Sequence, residues 1–99
     1  MRTPLQRLEE KLLKENLWIF LVALLKEKAR KRSELRALVQ KRFAFLPGEV
    51  TSYKVLFLLE AGGYVEKDGK NYYRSTEKGL EQLKEGKKLL ERTEKLLRR

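Results

Sequence analysis

Between helix-start signals at Thr51 and Thr76 lies the stretch "AGGYVEKDGKNYYRS", residues 61–75, which limits the possible folds more than any other feature of the chain. Gly62 and Gly63 can close a helix, because glycine takes the left-handed conformation without a Cβ clash. Residues alternate on both sides of Asp68–Gly69, a dipeptide favoured in two-residue type I′ hairpin turns. The spacing predicts strands over 64–67 and 70–74, a helix over about 51–61 before them, and a helix capped by Thr76 that runs to near the C-terminus. A β-hairpin is therefore set inside a chain that is otherwise helical.

Upstream, Thr3, Pro4 and Gln6 read as an N-cap, a first-turn proline and a capping-box partner. Leu5, Leu8 and Leu12 give that helix a narrow apolar stripe, which needs a partner surface. Glu15 and Asn16 leave open whether it continues into the next segment. Residues 17–27 are apolar nearly all round and predict the central core helix. Their longest apolar run, "LWIFLVALL", has nine residues where a bilayer span needs about 20, so no membrane span is expected. Ser33 is positioned to cap a helix "ELRALVQKR" whose Leu35, Leu38 and Val39 face the core. Pro47 and Gly48 then turn the chain. In the last helix Leu83, Leu90 and Leu97 are seven apart, with Gly79, Gly86 and Thr93 in the intervening register. Leucine at one seam position and small residues at the other suit close helix approach in a dimer, although any amphipathic helix shows spaced leucines.

With 99 residues there is room for one core, and the expectation is one domain: an N-terminal helix over 1–15, a core over 16–75 and a C-terminal helix over 76–99. The 24 Lys and Arg against 14 Asp and Glu leave a net charge of +10, which favours nucleic acid or an anionic surface as partner. Lys26 to Arg42 holds eight basic and two acidic residues and so supplies six of those ten charges. Cysteine and histidine are both absent, which removes disulfides, thiol nucleophiles, Cys or His zinc sites and any histidine base for Ser33, Ser52 or Ser75. No phosphate loop or carboxylate pair stands out, so neither an enzyme nor a cofactor or metal is expected, and no effector pocket is evident. The N-terminus lacks the features of a secretion signal, giving a cytoplasmic expectation. Few Asn, Gln or Met beside many Lys, Arg and Glu matches the bias of hyperthermophile proteins.

Three helices followed by a hairpin and a long helix is the layout of a winged helix-turn-helix, and the expected class is α+β, mostly helical, with added N-terminal and C-terminal dimerisation helices. Over residues 51–79 the chain also resembles PadR-type transcriptional regulators, including small archaeal and archaeal-virus members. Tyr53, Leu56, Leu59, Gly63 and Val65 fall at that family's spacing through its recognition helix and into its wing, "NYYRST" is similar to its second wing strand, and "STEKGL" at 75–80 to the start of its last helix. The resemblance implies a homodimer, paired through its terminal helices, that binds double-stranded DNA as a repressor or similar regulator. In the middle of the recognition helix, where relatives often carry Arg or Lys, this chain has Phe57 and Leu58.

The candidate contacts follow. Thr51, Ser52 and Lys54 form the outward start of the recognition helix, with Val55 beside them. Arg30, Lys31, Arg32 and Arg36 are placed at the DNA backbone, and Lys67, Lys70 and Arg74 on the wing. Leu5, Leu8, Leu12, Leu83, Leu90 and Leu97 are the expected dimer interface. Tyr53, Phe57, Tyr64, Tyr72 and Tyr73 are read as packing groups, while Glu49, Glu66 and Asp68 would repel phosphates. Two other functions remain open: a sequence-independent architectural binder, and a protein-interaction module using Phe57 and Leu58.

Overall fold

A computed structural model describes residues 1–98. The described residues are α+β, with five α-helices and one three-stranded antiparallel sheet of order β1–β3–β2. Helix α1 spans Pro4–Glu9 and begins as the capping box predicts: Gln6 N–H donates to Thr3 Oγ1 at 3.1 Å, and Thr3 N–H donates to Gln6 Oε1 at 2.8 Å. It widens into π-helical turns over Glu10–Lys14 and stops at Asn16, so the first two helices are separate.

Helix α2, Leu17–Glu27, is the centre of the core. Its Leu17, Leu21, Val22, Leu24 and Leu25 are buried against Leu35 and Val39, Leu56 and Leu59, Val65, Tyr73 and Leu83, which come from every later element except the two-residue strand β1. Each such side chain contributes roughly 1.5–3 kcal/mol of transfer free energy. That outweighs the exposed ion pairs, worth about 0–1 kcal/mol each.

Strand β1, Arg30–Lys31, was not legible in the basic run. It pairs with β3, Tyr72–Ser75, which in turn pairs with β2, Val65–Lys67. Helix α3, Arg32–Phe43, starts one residue after Lys31 rather than at a Ser33 cap, because the Glu34 carboxylate already accepts the Lys31 N–H at 3.1 Å. Helix α4, Glu49–Ala61, has Gly48 rather than Thr51 as its N-cap and ends as predicted, with Gly63 left-handed at φ 80°.

The hairpin turn differs from the two-residue turn expected. Asp68–Asn71 forms a four-residue loop in which Asn71, at φ 67°, takes the left-handed conformation. Asp68 organises it by accepting Lys70 N–H at 2.8 Å and Tyr72 N–H at 3.0 Å through Oδ1, bonds that lower its pKa, the Tyr72 bond having the larger effect.

Helix α5, Glu77–Leu97, is capped by Thr76 as expected. Gly79 lets it cross the start of β2, since a Cβ there would overlap the Tyr64 carbonyl oxygen. Gly79→Ala is therefore expected to destabilise the chain by about 1–3 kcal/mol despite alanine's better helix propensity, with thermal unfolding as the measurement. An unchanged or higher midpoint would show that the crossing has slack.

Candidate nucleic-acid interface

The sheet brings together two basic segments that are distant in sequence. Pairing of Lys31 with Tyr72 sets the first turn of α3 beside the hairpin, and Lys31, Arg32, Ser33, Lys67, Lys70 and Asn71 line one concavity of about 380 Å³. Four cations converge there, next to a helix N-terminus whose backbone carries partial positive charge. The arrangement suits a phosphate or another polyanion segment.

Aromatic rings position part of this set. The Arg32 guanidinium lies 4.1 Å from the centre of the Tyr53 ring, joining the start of α3 to α4, and Arg32 itself is exposed. A guanidinium stacked on a ring keeps its N–H edge available for hydrogen bonds. Lys31 Nζ lies 5.5 Å from the Tyr72 ring and Lys67 Nζ 6.0 Å from the Tyr73 ring.

Several expected contact residues serve the fold instead. Arg30 is 9% exposed, donates through Nε to the Leu24 carbonyl at 3.3 Å and lies 3.8 Å from Glu27. It closes the end of α2 and is turned away from any phosphate. Arg36 is half-buried and donates to the Pro47 carbonyl at 2.9 Å, holding α3 to the loop before α4. Ser52 is 4% exposed, and its hydroxyl donates to the Gly48 carbonyl at 2.7 Å, so it does not face a base. Arg74 pairs with Glu66 across the hairpin at 2.7 Å. Strand alternation puts that pair on the face opposite Tyr73, outside the concavity.

Glu27 accepts a 2.7 Å bond from Arg42, which lowers the Glu27 pKa and raises that of Arg42. This pair ties α2 to α3, and of the basic segment Lys31 and Arg32 are the cations that line the concavity.

Thr51 and Lys54 are exposed on α4 as expected. Val55 is half-buried against the core. Phe57, read from sequence as a packing group, is 66% exposed, and Leu58 beside it is exposed. Together with Val50, Lys54 and Ala61 they follow helical spacing, so the solvent side of α4 is an apolar stripe interrupted by one lysine. The sequence signal was available, since residues 55–59 form an unbroken apolar run, VLFLL, on a helix only part of which can face α2.

The seam leucines divide. Leu83 is buried in the chain's own core, whereas Leu5, Leu8, Leu12, Leu90 and Leu97 are exposed, as are Leu89 and Leu96, which the heptad reading missed. Gly86 is packed against Trp18 and Ile19 of α2, and Gly79 against Tyr64, so the small residues make room for contacts within the chain. Beside the exposed leucines, Leu12, Trp18, Ile19, Phe43, Gly86 and Leu90 help to line an apolar cleft of about 580 Å³.

Among the described residues no group of three or more acidic side chains could hold a metal ion, and no helix is long and apolar enough to cross a membrane. No protein-family model matches the chain, and no curated protein matches its sequence significantly.

Proposed function

We propose that the chain is a winged-helix protein of PadR-like type that binds duplex DNA as a homodimer and regulates transcription. The observation that carries this reading is the concavity in which Lys31 and Arg32, at the start of α3, meet Lys67 and Lys70 of the hairpin. In a winged helix those two places hold the sugar-phosphate backbone on either side of the recognition helix, and α4 lies between them in the chain. Arg32 on the Tyr53 ring fixes the spacing between backbone contact and recognition helix. The unpartnered leucines of α1 and the outer half of α5 are the surface a second copy would cover.

The test is binding of the purified chain to a randomised duplex pool at two salt concentrations, followed by sequencing of the retained DNA. The expected result is a palindrome with half-sites about one helical turn apart and strongly salt-sensitive affinity. Salt-sensitive retention without enrichment would replace the regulator with an architectural binder. Absence of retention would remove DNA as the partner.

A further inference from the structure

We infer that the solvent side of α4 reads thymine 5-methyl groups on the floor of the major groove, with Val50, Thr51, Phe57 and Leu58 as the reading side chains. The inference rests on the duplex-DNA reading above and adds what the helix recognises. Val50 is 80% exposed, and Thr51, Phe57, Leu58 and Ala61 are exposed with it. A surface helix ordinarily turns charged and polar residues to water, so an apolar stripe broken only by Lys54 marks a surface that something covers.

The chemistry of the stripe narrows what that is. Arg or Lys bidentate to guanine and Asn or Gln bidentate to adenine are the usual hydrogen-bonded readers. The exposed arc of α4 contains no Arg, Asn or Gln, and its one cation is Lys54. The apolar group that a base pair displays in the major groove is the thymine methyl, which aliphatic and aromatic side chains complement. Lys54, in the middle of the stripe, can donate to the thymine O4 next to that methyl or to a guanine edge.

Placement agrees with this. Arg32 rests on Tyr53 at the flank of α4, so the stripe adjoins the cations of the concavity. A helix about 10–12 Å across with its side chains fits a major groove about 12 Å wide. With Lys31, Arg32, Lys67 and Lys70 on phosphates, the side of α4 left to meet the bases is the exposed one. An apolar protein partner would account for the stripe but not for the cations beside it.

The test uses the full chain and four defined duplexes of equal length: alternating A·T, the same sequence with deoxyuridine replacing thymidine, alternating G·C, and the same with 5-methylcytosine. Deoxyuridine differs from thymidine only by the methyl group. The expected affinity falls about fourfold for each contacted methyl removed, and methylation of cytosine raises binding to the G·C duplex. The salt slope stays the same within each pair, because the phosphates are unchanged. A Val50→Ala, Phe57→Ala, Leu58→Ala variant, checked for native circular dichroism, loses the thymine–uracil difference while keeping that slope. Equal affinity for the thymine and uracil duplexes would overturn the inference and leave DNA binding standing. No salt-dependent binding to any of the four would overturn the DNA reading and this inference together, and would leave the stripe to a protein partner.

Discussion

Replacing Lys31, Arg32, Lys67 and Lys70 together by alanine is expected to weaken binding to every duplex by about two to three orders of magnitude at physiological salt. The estimate follows from counterion release. If each cation neutralises one phosphate, the slope of log K against log salt falls by about 3.6, and that lost slope between 0.15 M and 1 M salt corresponds to roughly a thousandfold. Stability should fall only modestly, since all four side chains are exposed and what they lose within the chain is three cation–ring contacts worth about 0.5–1 kcal/mol each. Arg30→Ala provides the contrast. It removes a buried donor from the Leu24 carbonyl and is expected to lower stability by about 1–3 kcal/mol while leaving the salt slope of the folded protein unchanged. Salt titrations of the two variants, read with their unfolding curves, separate the roles. A quadruple variant that keeps its slope would place the DNA elsewhere on the chain.

The second large effect concerns assembly. The parent chain is expected to run as a dimer, and Leu90→Asp with Leu97→Asp to convert it to a monomer, raising the dissociation constant at least about a thousandfold. Two-fold symmetry places each substitution at the interface twice, so four leucines worth roughly 1.5–3 kcal/mol apiece are lost, and carboxylates appear where apolar surface was buried. Both leucines are exposed within one chain, so the monomer should retain its helical content. Light scattering across a dilution series measures this directly, and a parent chain that stays at the mass of one copy would remove the proposed interface. Leu83, expected from its heptad position to join that seam, is unsuited to the experiment because it belongs to the chain's own core.

Features governed by neighbours in the chain were legible without the structure. Thr3 with Gln6, Thr76 with Gly79, and the closure at Gly63 are contacts made within a few residues, so their residue types announce them. The burial of α2 was legible because a helix apolar on all sides has no stable alternative in water. The hairpin was legible as a hairpin, but its turn was misassigned: Asp68 binds two backbone N–H groups ahead of it and passes the left-handed conformation to Asn71.

The candidate site was legible as charge and not as geometry. Arg30, Lys31 and Arg32 are equivalent in composition, yet pairing of β1 with β3 turns Arg30 inward against α2 and leaves Lys31 and Arg32 exposed. Thr51 and Ser52 are chemically similar neighbours, and the rotation between successive helix positions, set by how α4 docks on α2, exposes one hydroxyl and ties the other to Gly48. Gly79 and Gly86 carry no local sign of whether they admit a second copy or the chain's own Tyr64 and Trp18.

By itself, then, the sequence determined the order of the helices and the hairpin, the identity of the central helix and the sign of the field around the protein, because capping, periodicity and charge act over a few residues or add without regard to arrangement. Only the tertiary structure decided which basic side chains share a concavity, which leucines remain uncovered and which side of α4 faces solvent. Each of those depends on contacts between segments far apart in the chain, and a one-residue change of register or a partial turn of a helix would reverse them.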